Sequence, residues 1–274
     1  MSKKIRGLLC LTLALAVLGG ALLLWAGIRN LSPAPDVPPG ISGSALYPAP
    51  HTGSPAPSVL LISRPGDGGR LLARELNRRG VNVLLLRDAS PAALADAWDY
   101  LASADFSRLS SLGLLAREAD IPAAAEALED LSGSGREAAA AVFSGSDLSL
   151  CRGCTGRNVL FLTGREPDAS ALAAFYGDDT PAGRISGYFA DGDARKVIVL
   201  PGSTPRWGEK DAMLSVFDWL GSSLGHVVEL SDTDIAVSAD RTLIAGGIAF
   251  LAAALGGGSL CIVKKRRFSH LLKE

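Results

Sequence analysis

The sequence predicts an α/β fold, a mostly parallel sheet with helices on both faces, flanked by two transmembrane helices. Three observations predict it. Short apolar runs alternate with amphipathic segments through the middle of the chain, joined by only a few residues, as crossovers in a parallel sheet require. Arg108 to Leu128 reads as a central buried strand (Leu109 to Ala116), a tight turn and an alanine-rich helix from Pro122. At each end lies a charge-free apolar segment, Gly7 to Ile28 and Thr242 to Val263, each roughly 22 residues and so long enough to cross a bilayer.

The elements follow in order. Residues 1–6 are a basic cytoplasmic N-terminus, and 7–28 the first span. That span is longer than the apolar core of a secretory signal, roughly 7–15 residues, so it is expected to be retained. Residues 29–57, rich in Pro, Gly and Ser, read as an extended tether. The folded domain is expected over 58–224. Val59 to Ile62 is a buried strand, Arg64 to Gly69 a glycine-rich loop, Arg70 to Arg79 an amphipathic helix closed by Gly80, and Val81 to Leu86 the next strand. Ser90 caps a helix over Pro91 to Ala102, with proline at its first position. After the Arg108–Leu128 unit come strands at Ala138 to Phe143, Asn158 to Thr163 and Lys196 to Leu200. Helices follow at Ala169 to Tyr176 and Lys210 to Leu220, making about six strands in all. Residues 225–241 are a connection, 242–263 the second span and 264–274 a basic tail.

Lysine and arginine at both outer flanks place both termini in the cytoplasm and the central domain outside, as in a two-pass cell-membrane protein. Ala245, Ala249, Ala253 and Gly257 recur every four residues, and Ala16 with Gly20 does the same. Such a row lets helices approach closely, whether with each other, a second copy or another membrane protein, although alanine and glycine are common in this chain. With 27 Lys and Arg against 28 Asp and Glu, no nucleic-acid footprint is indicated.

The chemistry is read mostly by subtraction. A nucleophile elbow places small residues two before and two after an exposed nucleophile. The corresponding window is Gly113, Leu114, Leu115, Ala116, Arg117, and leucine has no lone pair with which to attack. The loop after Ile62 lacks both the Gly-Lys-Ser/Thr of a phosphate loop and the G-x-G-x-x-G fingerprint. A glycine loop above a first strand can still hold an oxyanion, so Arg64, Gly66, Gly68, Gly69 and Gly113 are the expected ligand crevice. Cys151 and Cys154 are expected to form a disulfide; a thioredoxin-like redox role is the sharper alternative. The other cysteines, Cys10 and Cys261, lie in the spans, so no metal is expected. No cofactor is expected either.

The order and spacing of these elements resemble the α/β-hydrolase superfamily over roughly Ser58 to Leu224. The resemblance is carried by the glycine loop with its Leu-Leu-Ala-Arg-Glu-Leu helix, by "DAWDYLASADFSRLSSLG", "NVLFLTGREPD", "KVIVLPGSTPRW" and "VFDWL". It implies that these positions supply oxyanion donors, nucleophile, acid and histidine. Leu115 then falls at the nucleophile, or Glu118 if the alignment slides by three places; Asp168, or Glu166 beside it, falls at the acid, and Pro205 at the histidine. Losing both nucleophile and base removes both halves of the activation. Asp168 is then expected to cap a helix. The expectation is a non-catalytic binding or scaffolding module. The alternative is an ester or peptide hydrolase with a relocated triad of Ser144, Ser146 or Ser149 with Asp168 and His226, the other histidines being His51 in the tether and His270 in the tail.

Overall fold

The structure, a computed structural model, describes residues 3–29, 38, 41, 43–49, 54–87, 89–151, 154, 157–202, 204–225 and 244–256. The chain divides into two compact units, Pro33–Asp234 and a terminal unit of Met1–Ser32 with Ile235–Glu274.

The larger unit is built on one eight-stranded sheet. Its strands are β1 (Ala45–Tyr47), β2 (Ala56–Ile62), β3 (Asn82–Leu86), β4 (Ser107–Arg117), β5 (Ala140–Ser144), β6 (Val159–Thr163), β7 (Ile185–Ser186) and β8 (Arg195–Val199). They lie in the order β1-β3-β2-β4-β5-β6-β8-β7. The six inner strands are parallel, and β1 and β7 close the two edges antiparallel. The chain steps outward from β2 to β3 and then returns past β2 to β4, so the winding direction reverses between β2 and β4. Ligand crevices of open α/β sheets lie at such a reversal, outside the carboxyl ends of the strands.

The inner strands carry unbroken apolar runs, among them Val59–Ile62, Val83–Leu86, Ala140–Phe143 and Val159–Leu162, because both faces are covered there. Val59, Leu60, Leu61 and Ile62 have no exposed surface. One parity of each strand (Leu60, Ile62, Leu112, Leu114, Ala116) joins the core made with α3 (Pro91–Ser103) and α4 (Ile121–Gly133). The other parity meets the layer of α2 (Gly69–Arg78) and α6 (Lys210–Ser223): the site of a Cβ on Gly113 lies 3.7 Å from Leu220. The Arg79 guanidinium over the Phe217 ring, 4.4 Å from its centroid, joins α2 to α6. Ser90 Oγ accepts the Ala93 N–H ahead of Pro91, and Gly80 follows α2 at φ +80°, the left-handed conformation that stops a helix.

The folded unit starts earlier than the tether reading allows. Within residues 29–57, β1 pairs with β3, and buried polar groups hold the segment there: the Ala49 N–H donates to Asn82 Oδ1 at 2.7 Å, and Asn77 Nδ2 donates to the Pro48 carbonyl. Three residues paired at an edge leave no periodic signal, and neither do the two of β7. Two further boundaries shift. β5 ends on Ser144, one residue past the expected strand, and α6 continues to Ser223.

In the terminal unit α1 (Lys3–Arg29) is a helix of 27 residues, and residues 244–256 form a second helix, α7. Among the described residues no helix is long and apolar enough to cross a membrane, so the spans expected over 7–28 and 242–263 are not shown. The two helices do meet, through a different row of small residues from the expected one. Gly19 and Gly247 are buried, and a Cβ on Gly19 would lie 2.9 Å from the Gly247 carbonyl oxygen. Positions 247, 250, 251 and 254 face inward at helical spacing, while Ala245, Ala249 and Ala253 are exposed. Gly20 has no heavy atom within 4 Å of its Cβ position, and Gly257 lies outside the described residues.

Candidate functional site

The turn after the central strand is displaced from its expected place. β4 continues through Arg117, and Leu115 sits in its interior, paired with Leu61 and Val142 and fully buried. The residue that turns the chain is Glu118, at φ +47°. A side chain in the left-handed region costs of order 1 kcal/mol, so the surrounding structure imposes the turn. Ala116 and Asp120 are the residues two before and two after it, and α4 begins at Ile121. The corner of the sheet therefore carries a carboxylate. The half-buried Glu118 Oε2 accepts from the Ser146 hydroxyl at 3.4 Å and from its N–H at 3.5 Å.

Ionic ties cross the carboxyl edge of the sheet around this corner. Arg64, on the loop after β2, grips Asp120 with Nε at 3.2 Å from both carboxylate oxygens and one terminal nitrogen at 2.7 Å. This pair bridges the carboxyl ends of β2 and β4, and Asp120 is only 6 % exposed. The Asp120 hydrogen bond and charge hold the Arg64 guanidinium above its ordinary pKa. The Arg117 side chain turns back to Asp67 (2.8 Å) and donates through Nε to the Pro205 carbonyl at 2.9 Å. Ser144 Oγ donates to the same carbonyl at 2.8 Å. Pro205, where the resemblance implies a histidine, thus serves as a backbone acceptor that ties the last loop to β4 and β5. The glycines let these loops touch. A Cβ on Gly68 would strike the Gly208 amide, and one on Gly69 would strike Ser63 Oγ.

The remaining candidates are scattered. Asp168 caps α5 (Ala169–Tyr176), accepting the Ala171 N–H at 2.7 Å, which occupies it structurally. Gly113 lies inside β4, away from the loops, and its place in the expected crevice is corrected: an added Cβ would lie 3.4 Å from Val59 and 3.5 Å from the Ala140 carbonyl. Ser149 sits in a short 3-10 turn, its N–H on Asp147. His51, His226 and His270 all lie outside the described residues. Cys151 and Cys154 form a disulfide, both nearly buried, and Arg195 holds that loop by donating to the Cys154 carbonyl at 3.1 Å. Burial lowers the Arg195 pKa.

Arg64, Gly66, Gly68 and Gly69 do come together. With Ser63, Arg70, Leu71, Leu85 and Arg87 they line a cavity of about 420 Å³ beside the Arg64–Asp120 tie. Arg70 and Arg87 escape sequence reasoning because a lone arginine carries no motif. Only the parallel pairing of β2 with β3 brings the end of β3 beside the glycine loop. A larger cavity, about 930 Å³, lies at the opposite end of β4, beside Leu109, Ser110 and Leu112, far from the corner.

No family model matches the chain. No curated protein matches it either. Among solved structures it is similar to a glucuronoyl esterase from Solibacter usitatus, at 10 % identity and a TM-score of 0.44 over 66 % of this chain and 77 % of that one. It is also similar to an acetyl xylan esterase from Aspergillus awamori, at 12 % identity and a TM-score of 0.44 over 65 % of this chain and 93 % of the other. A 2,6-dihydroxy-pseudo-oxynicotine hydrolase matches at 12 % identity and a TM-score of 0.47, over 69 % and 66 %. The architecture expected from the order of the elements, a mostly parallel sheet with helices on both faces, is the one observed.

Proposed function

We propose that this α/β-hydrolase-type domain is a non-catalytic binding module, held at a membrane by its terminal helices. One observation carries the reading. The carboxyl ends of β2 and β4, where a bond-breaking site would assemble, are bridged by the Arg64–Asp120 pair, and the residue that turns the chain after β4 is Glu118, not a serine or cysteine. Serine without an adjacent base is a poor nucleophile. What remains at that edge is a rigid, polar, glycine-lined surface suited to contact.

The test is a fluorophosphonate probe on the full-length protein in detergent. No covalent labelling is expected. Labelling of any serine, lost when that serine is replaced by alanine, overturns the reading in favour of an active hydrolase.

That second reading has one observation in its favour, the Ser146 hydroxyl 3.4 Å from the Glu118 carboxylate. Against it, Ser144 is fully buried and bonded to a carbonyl, and Asp168 is committed to its helix cap.

Anchoring is supported by the outward side chains of α1, since Leu13, Val17 and Leu24 are each about two-thirds exposed. An apolar surface of that kind is costly in water and needs a lipid or protein cover. The basic flanks set both termini in the cytoplasm and the domain outside. The exposed Ala245, Ala249 and Ala253 face is free to meet a second copy or another membrane helix.

A further inference from the structure

We infer that the 420 Å³ cavity at the carboxyl ends of β2 and β3 binds a phosphate group, either of a small soluble phosphate ester or of a phospholipid headgroup. The inference rests on reading this edge as a binding surface, and adds the ligand's chemistry.

Three arginines reach the cavity from three different elements: Arg64 from the loop after β2, Arg70 from the first turn of α2, and Arg87 from the end of β3. Arg64 spends its Nε and one terminal N–H on Asp120, which leaves three of its five donors for another acceptor. Arg70 and Arg87 make no ion pair with a described residue. Among the described carboxylates, Asp67 in the glycine loop is already engaged: one of its oxygens takes Arg117 and the other the Arg64 N–H. The described lining therefore holds a surplus of positive charge.

The backbone adds to it. α2 is ten residues long, starts at Gly69 beside the cavity, and has no side chain capping its first turn. Free N–H groups at a helix N-terminus favour an anion. Ser63, 5 % exposed, presents a hydroxyl in the same wall whose bond, to the Arg64 carbonyl, is a long 3.4 Å. Planar guanidinium forks arriving from several directions suit a ligand with several acceptor oxygens around one centre, which a phosphate has and a carboxylate lacks. Leu71 and Leu85 supply an apolar wall for whatever the phosphate is attached to. Gly68, at φ +83° and closed against Gly208, fixes the loop before any ligand arrives, so little ordering cost is left for binding.

The experiment is calorimetric titration of the full-length protein in nanodiscs of phosphatidylcholine, at low salt, with glycerol 3-phosphate. A parallel arm measures uptake of phosphatidic acid from mixed vesicles. Submillimolar binding of glycerol 3-phosphate, weakened about tenfold in Arg70→Gln and in Arg87→Gln, is expected if the source is soluble; a tenfold loss is about 1.4 kcal/mol. Binding of phosphatidic acid alone, weakened by the same two variants, assigns the lipid source and equally supports the site. Both arginines are exposed, so the variants should keep the wild-type melting temperature, and Arg87→Lys should recover part of the affinity. Absence of binding in both arms, or binding that neither glutamine variant weakens, overturns the inference. Covalent labelling by the fluorophosphonate with phosphate binding intact would refute the non-catalytic reading and leave this site standing. No labelling and no phosphate binding would refute this site alone.

Discussion

Leu115 and Glu118 show how three positions separate a core residue from a corner residue. Leu115 has no exposed surface and packs between neighbouring strands on the α6 side of the sheet, so its leucine is explained by burial and says nothing about lost chemistry. Installing a hydroxyl there should not restore activity. Leu115→Ser is expected to cost about 3 kcal/mol or more, through lost burial and an unsatisfied hydroxyl, and to gain no reactivity towards a fluorophosphonate. Glu118 behaves in the opposite way. Glycine has no penalty at φ +47°, so Glu118→Gly should stay within about 1 kcal/mol of wild type, whereas the β-branched Glu118→Val should lose about 1–3 kcal/mol. Denaturant melts of the three variants check the set. A Leu115→Ser protein as stable as wild type would contradict the placement of the turn.

At the level of elements, the small pieces without periodicity do much of the tying. The Cys151–Cys154 bridge encloses a very short loop between β5 and β6, and Arg195, from β8, binds its carbonyl. Chain-entropy reasoning for a loop of that size gives about 2 kcal/mol. The paired Cys151→Ser, Cys154→Ser protein should therefore melt at lower denaturant by about that amount, with phosphate binding unchanged, because the bridge lies between β5 and β6 and the cavity at the ends of β2 and β3. A double variant that keeps full stability but loses binding would give the cysteines a functional role instead. The strands β1 and β7 follow the same logic. Each is held by an edge pairing and a few side-chain bonds, none of which leaves a pattern in its own residues.

On the scale of the molecule, the division into Pro33–Asp234 and a terminal unit makes a prediction about location. Residues 33–234 expressed alone should fold and remain in the soluble fraction. The full chain should stay in the membrane pellet after alkaline carbonate extraction, because α1 and α7 carry most of the exposed large apolar side chains among the described residues. Release of the full chain into the carbonate supernatant would remove the anchoring proposal.

The sequence by itself determined the class of fold, the parallel inner strands, the caps at Ser90 and Gly80, and the pairing of the two nearby cysteines. These depend on local periodicity, on single-residue backbone preferences, or on partners three residues apart in the chain. Only the tertiary structure decided where the corner falls, that Gly19 and Gly247 and not the alanine row join α1 to α7, and that Arg64, Arg70 and Arg87 share one cavity. The reason is physical. A strand's end is set by how far its neighbours continue the ladder, and a charged site by which loops the winding order brings side by side; neither quantity is written in the residues concerned.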